Sequence, residues 1–151
     1  MIEADKSPYL HRVHYYETDQ MGIVHHSNYI RWFEEARDDF IARNGIDFVD
    51  VEARGFMLAV IRAECNYKTP AKYGETVEIT THLRRFNGVR VVYTYEIKNA
   101  LGHLVATGTT EHAFISAETR KPVNVKRALP EYTGIMFGLL EENGDGGNKR
   151  K

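Results

Sequence analysis

The longest stretch of helical periodicity runs from Ser27 to Asn44. Apolar residues recur there at spacings of three and four positions, with charged residues between them. Ser27 or Asn28 can cap the start of this helix, and Gly45 can end it. The pattern predicts one amphipathic helix, followed by a short second helix over 46–54. The residues predicted for its buried face are Tyr29, Ile30, Phe33, Ala36, Phe40 and Ile41.

Beyond Gly55 the apolar period changes from 3.6 to 2 residues, which is typical of β-strands. Four such strands are predicted, at 56–67, 75–86, 89–98 and 103–116. Asn87-Gly88 is typical of a two-residue hairpin turn with positive φ at both positions. Because every connection is too short for a parallel crossover, we expect the four strands to form an antiparallel meander.

A fifth strand is predicted before the helix, over 10–17, where Val13, Tyr15 and Tyr16 supply apolar and aromatic side chains. A helix and a five-stranded antiparallel sheet, each with one apolar face, bury each other if the sheet curls around the helix. The predicted fold class is therefore α+β. An open sheet leaves unpaired edges, and pairing between two chains protects them, so a homodimer is expected.

The length of 151 residues is that of one domain. We assign the domain to residues 1–140, because residues 141–151 are charged and glycine-rich and are predicted to be disordered. No run approaches the roughly 20 apolar residues that a membrane span requires, and the N-terminus lacks the apolar core of a signal peptide. A cytoplasmic location is expected.

Charge and cysteine content restrict the classes of partner and site. Lys plus Arg is 20 and Asp plus Glu is 21, so no net field favours nucleic acid or an anionic membrane. Cys65, the only cysteine, can form neither an internal disulfide nor a thiolate zinc cluster. The adjacent His25 and His26 should point to opposite faces. The same holds for His11 and His14 on the predicted strand, so no metal site is predicted.

The segment from Tyr15 to Tyr29 holds the candidate chemistry. It leaves the predicted strand, turns at Gly22 and enters the helix near His26. Asp19 therefore lies on a loop that returns to a helix N-terminus, where free N–H groups and the helix dipole favour negative charge. This arrangement can stabilise an oxyanion. Taken alone, Asp19 could equally cap a turn, and His26 could be an ordinary residue at a helix start.

Three sequence patterns resemble those of a known family. The first is Thr18-Asp19-x-x-Gly22-Ile23-Val24-x-His26-x-Asn28-Tyr29-x-Arg31-Trp32-Phe33-Glu34-x-Ala36-Arg37. The others are Tyr67-Lys68-x-Pro70-Ala71-x-Tyr73-Gly74, and Lys121-Pro122 with Arg127-Ala128-Leu129-Pro130. Together they resemble the hotdog-fold acyl-CoA thioesterases of the 4-hydroxybenzoyl-CoA thioesterase family. The resemblance covers about residues 9–137 and is closest to the bacterial branch often associated with the Tol-Pal system.

The resemblance implies a hotdog fold, with a five-stranded antiparallel sheet wrapped around one long central helix. It also implies hydrolysis of a small acyl-CoA or aryl-CoA thioester without a serine nucleophile or a metal. The family's aspartate, at the position of Asp19, acts as a nucleophile or as the base that activates water. The N–H of His26 is the implied oxyanion donor, and its imidazole is a candidate for polarising the carbonyl. Tyr15 is a candidate for a hydrogen bond near the site, and Glu34 for contact with the acyl group.

Coenzyme A is part of this substrate, so no cofactor is expected, but its phosphates require basic groups. Arg84, Arg85 and Arg90 flank the Asn87-Gly88 turn and are the predicted phosphate contacts, with Lys121 as a further candidate. The expected assembly is a homodimer at least, and a tetramer is also expected.

Two other functions remain open. A catalytically silent hotdog domain could bind acyl-CoA, although a binding module does not need a carboxylate such as Asp19 facing the carbonyl. A hotdog enoyl-CoA hydratase usually pairs an aspartate with a histidine on a differently built loop, which the step from Asp19 to His26 fits poorly. Thioester hydrolysis is the predicted function.

Overall fold

The computed structural model describes residues 3–141, so the predicted disordered tail lies outside the described residues except for Glu141. The strands are β1 (Tyr9–Arg12), β2 (Phe56–Tyr67), β3 (Thr76–Phe86), β4 (Arg90–Lys98) and β5 (Leu104–Ser116). The helices are α1 (Ser27–Arg43), α2 (Phe48–Ala53) and α3 (Pro130–Leu139), and a 3₁₀ turn spans Tyr15–Glu17. Both predicted helices and all four strands after Gly55 are present. α3 was not predicted.

The five strands form one antiparallel sheet in the order β1-β3-β4-β5-β2. The predicted meander holds for β3, β4 and β5, but it is wrong for β2, which pairs with β5 and not with β3. Because β2 and β3 run in opposite directions, the connection over 68–75 needs only to pass along one end of the sheet. Three strand spacings are about 14 Å, which eight residues span without a helix.

The core lies between α1 and one face of the sheet. α1 has contacts with β1, β2, β3 and β5. Alternate residues of β3 and β4 are buried, as the period of 2 predicts. The buried residues of α1 are Tyr29, Trp32, Phe33, Ala36, Phe40 and Ile41, so Trp32 joins the predicted face and Ile30 is only partly buried. The residue before the helix is His26, whose side chain forms no capping hydrogen bond, while Nδ1 of His25 accepts the N–H of Ser27 at 3.2 Å.

Two local predictions are wrong. β1 ends at Arg12, and the residues expected to continue it, Tyr15–Glu17, form the 3₁₀ turn instead. In the β3–β4 turn only Gly88 has a positive φ, of 95°. Oδ1 of Asn87 accepts hydrogen bonds from the N–H groups of Val89 and Arg90, which makes a three-residue turn.

β2 is an edge strand with little burial. Val60 is 60% exposed and Ile61 is 48% exposed, because a bulge between Val60 and Arg62 interrupts the expected alternation. The edge therefore carries apolar side chains in solvent. None of the helices within residues 3–141 combines the length and the apolar character that crossing a bilayer requires.

Candidate active site

The loop that carries Asp19 is a short hairpin closed by backbone hydrogen bonds. Thr18 pairs with Val24, and the N–H of Asp19 donates to the carbonyl of Ile23 over 2.9 Å. Gly22, at φ +80°, donates back to the carbonyl of Asp19. Oδ1 of Asp19 also accepts the N–H of Met21 at 2.8 Å. Asp19 therefore caps its own turn, and this bond uses only one of its two carboxylate oxygens.

Asp19 and His26 line one cavity of about 250 Å³. The N–H of His26, at the start of α1, has no hydrogen-bond acceptor among residues 3–141. A residue with a carboxylate and a residue with a free amide at a helix N-terminus thus line the same space, an arrangement that suits a reacting carbonyl. The remaining lining residues are Met21, Ile23, Val24, Tyr29, Tyr67, Lys68, Thr69, Pro70 and Val105.

Tyr67 at the end of β2 and Lys68 directly after it line the cavity, although neither was predicted as a site residue. The hydroxyl of Tyr67 donates to the carbonyl of His26 over 3.2 Å, and its ring packs edge-on against Tyr29. Lys68 contributes a basic side chain to the lining of the cavity. Both residues belong to the second family pattern, which could have identified them as site residues from the sequence.

Glu17 was also missed, and it lies behind the loop with only 4% of its surface exposed. Its carboxylate receives hydrogen bonds from the indole of Trp32 and the N–H of His14, both at 2.8 Å, and contacts Nε2 of His11 at 2.9 Å. Burial acts to raise the pKa of Glu17, but these hydrogen bonds outweigh it and hold the pKa below its usual value. Glu17 is therefore a buried carboxylate within the fold.

Comparison with known proteins shows the family. Residues 13–131 match the model of the thioesterase-like superfamily, whose members have the hotdog fold. The chain belongs to this superfamily. The YneP protein of Bacillus subtilis, named for a proposed acyl-CoA thioesterase activity, is 38% identical over 120 residues, covering 80% of this chain and 87% of the relative.

Two further relatives carry thioesterase names. The acyl-CoA thioester hydrolase YbgC of Escherichia coli is 28% identical over 120 residues, covering 80% of this chain and 87% of that protein. The crystal structure of DHNA-CoA thioesterase from Staphylococcus aureus is similar with a TM-score of 0.85 and 34% identity. That match covers 96% of this chain and 95% of the Staphylococcus chain.

Two other predicted site residues, Tyr15 and Glu34, lie outside the cavity that Asp19 and His26 line. Tyr15 is 75% exposed and packs edge-on against Tyr73. Tyr15 lies in the 3₁₀ turn and not on the predicted strand, so it does not share a strand face with Asp19. Glu34 is exposed on α1 and lines a separate cavity of about 690 Å³, together with Arg37, Tyr93 and Tyr132.

The predicted coenzyme A contacts do not line the Asp19 cavity either. Arg84 donates to Thr94, and Arg90 forms an ion pair with Glu111. Arg85 is partly buried, with its Nε buried and without a partner among residues 3–141, and Lys121 is exposed. Their role in phosphate binding stays a prediction.

The histidine pairs are arranged differently from the prediction. The rings of His25 and His26 stack with centroids 4.2 Å apart, and those of His11 and His14 meet edge-on at 5.5 Å. The prediction that each pair points to opposite faces is wrong, because neither pair lies in a regular strand or helix throughout. Within residues 3–141, no group of three potential ligands could hold a metal ion.

Proposed function

We propose that this protein hydrolyses the thioester bond of a small acyl-CoA or aryl-CoA to give the free acid and coenzyme A. The relatives named above support thioester hydrolysis. The observation that carries the proposal for the site is that Asp19 and His26, whose N–H has no acceptor among residues 3–141, line one cavity. Neither feature alone distinguishes an active site from an ordinary loop.

The reaction needs a group that delivers oxygen to the carbonyl carbon and a group that stabilises the resulting oxyanion. Asp19 either takes a proton from water as the water oxygen attacks, or attacks through its own oxygen to give a mixed anhydride that water then hydrolyses. In both routes the carbonyl oxygen gains negative charge and the N–H of His26 donates to it. The carbon–sulfur bond then breaks and coenzyme A leaves as a thiolate. The imidazole of His26 is a further candidate for polarising the carbonyl.

Assignment to the Tol-Pal-associated branch rests on the resemblance of the sequence patterns alone, and the similarity to a DHNA-CoA thioesterase supports an aryl substrate. We take α1 as the long central helix of the fold. No cofactor takes part. Lys68, an exposed lysine beside the cavity that Asp19 and His26 line, is a further candidate for a phosphate contact. Arg84, Arg85, Arg90 and Lys121 are retained as contacts for the distant nucleotide.

We further propose a cytoplasmic homodimer joined through the exposed edge of β2, with assembly into tetramers. A two-fold axis that pairs β2 with its copy makes the two α1 helices antiparallel. The N-terminus of one helix then faces the later turns of the other. Because Asp19 and Glu34 line different cavities of one chain, Glu34 would contact the acyl group held at Asp19 of the other chain. Sedimentation equilibrium measures this assembly.

The experiment is release of free thiol from a panel of acyl-CoA and aryl-CoA esters. We expect turnover of at least one ester, and a fall of at least about 100-fold in kcat for Asp19→Asn in the folded variant. Asp50→Asn, which alters an exposed carboxylate paired with Arg54, is the control and should leave kcat unchanged. Binding of the esters without thiol release would favour the silent domain. Full activity of Asp19→Asn would exclude Asp19 as the reacting group.

A further inference from the structure

Glu17 lies directly before the loop that carries Asp19 and connects this loop to three parts of the fold. Through its carboxylate, Glu17 contacts His11 of β1, the backbone of His14 and the indole of Trp32 on α1. Through its carbonyl, it accepts the N–H of His25 at 2.8 Å and the amide of Asn28 at 2.9 Å. The second set lies at the start of α1, on either side of His26.

His11 is bound between two carboxylates. Its Nε2 lies 2.9 Å from Glu17 and its Nδ1 lies 3.3 Å from Glu35, whose Oε1 also accepts the hydroxyl of Tyr9. Nε2 shares a hydrogen bond with the Glu17 carboxylate, which one N–H of the ring is enough to supply. His11 is 7% exposed and packs against the Trp32 ring, with centroids 4.6 Å apart. The contact between His11 and Glu17 is therefore enclosed and held by aromatic packing.

We infer that Glu17 and His11 are positioning residues, which fix the Asp19 carboxylate relative to the N–H of His26. The hairpin of residues 18–24 begins directly after Glu17. The residue that follows the hairpin, His25, donates its N–H to the carbonyl of Glu17. A change in the orientation of residue 17 therefore moves both ends of the hairpin and the first turn of α1. Displacement of a reacting group by about 1 Å can lower a rate by about 100-fold.

The inference rests on the proposed function, and it assigns Glu17 no contact with substrate. Glu17 does not line the Asp19 cavity, and its two carboxylate oxygens are taken up by donors from the fold. A residue that acts only through Asp19 should lose its effect on the rate when Asp19 cannot react. A residue that merely stabilises the fold should change the folded fraction and leave kcat of the folded protein intact.

The test is a double-mutant cycle on the best ester of the thiol-release panel. We expect Glu17→Gln to lower kcat by at least about tenfold with KM changed less than about twofold, per folded protein measured by circular dichroism. In the Asp19→Asn background, the same change should lower the residual rate by less than about twofold. Glu78→Gln, an exposed glutamate on β3, is the matched control in both backgrounds.

Two results would overturn the positioning role. One is an unchanged kcat in folded Glu17→Gln, and the other is a full tenfold loss in the Asp19→Asn background. If Glu17→Gln does not fold, His11→Gln and His11→Leu replace it. His11→Gln keeps a donor near Glu17 and should retain kcat within about threefold, whereas His11→Leu should lower kcat by about tenfold. Equal rates for the two His11 variants would also contradict the role. Full activity of Asp19→Asn alone would instead contradict the proposed function.

Discussion

The ring of Phe33 on α1 occupies the space where a side chain on Gly108 of β5 would begin. A Cβ at position 108 would overlap the ring edge of Phe33 and lie 2.9 Å from the carbonyl of Glu64. The Phe33 ring also stacks in parallel on the Tyr95 ring, with centroids 4.4 Å apart. α1 and β5 approach closely here because residue 108 has no side chain.

Gly108→Ala should therefore destabilise the protein by about 1–3 kcal/mol, the usual cost of overpacking a core. Gly134→Ala is the control, because a Cβ there meets nothing within 4 Å and alanine favours the helix α3. We expect Gly134→Ala to be neutral or slightly stabilising. Urea denaturation followed by circular dichroism measures both changes. Equal stabilities for the two variants would show that α1 and β5 separate easily at this point.

His112 should make stability depend on pH above the range where carboxylates titrate. It is fully buried, its Nε2 shares a hydrogen bond of 2.8 Å with Thr110, and its Nδ1 has no partner among residues 3–141. Burial, followed by the charge of Arg37, lowers the pKa of His112 from 6.5 to about 3. The unfolded chain therefore binds a proton near pH 6.5 that the folded protein does not bind.

The lowered pKa of His112 determines whether the free energy of unfolding rises or falls with pH. The contribution of His112 is complete above pH 6.5 and decreases as the pH falls from 6.5 towards 3. We expect the free energy of unfolding to fall by about 1 kcal/mol between pH 7.5 and pH 5.5. His112→Gln should remove most of this dependence, and His25→Gln, at an exposed histidine, should keep it. A parallel fall in wild type and His112→Gln would assign the dependence to other groups.

Lys68 should contribute to binding of the coenzyme A part of the substrate. Lys68→Ala is expected to raise KM for a coenzyme A ester by about fivefold, equivalent to about 1 kcal/mol, with a smaller effect on the N-acetylcysteamine thioester of the same acyl group. Lys98→Ala, at an exposed lysine that does not line the cavity, is the control. Equal effects of Lys68→Ala on both thioesters would place its contact away from the phosphates.

The same comparison tests the arginines predicted from the sequence. Combined replacement of Arg84, Arg85 and Arg90 by alanine should raise KM for the coenzyme A ester more than for the short thioester if these residues bind the nucleotide. The ion pair of Arg90 with Glu111 and the bond of Arg84 to Thr94 would then have to open or share their donors. Unchanged KM values for both substrates would limit these arginines to a structural role.

Much of the fold follows from local patterns in the sequence. The period of 3.6 located α1 within one residue of its observed end, and the period of 2 located all twelve residues of β2. These predictions succeed because an apolar face repeats with the geometry of its own element. The family patterns likewise identified Asp19 and His26, which the structure brings to one cavity. Their chemical roles remain predictions.

The pairing of β2 with β5, and the short length of β1, could not be predicted from these patterns. Strand order depends on which edges meet when the sheet curves, and periodicity carries no information about the partner of a strand. Glu17 reads in the sequence as one more polar residue before a turn. Only the folded chain brings His11 and Trp32 to its carboxylate, because hydrogen bonds between distant residues form only after packing has placed the donors.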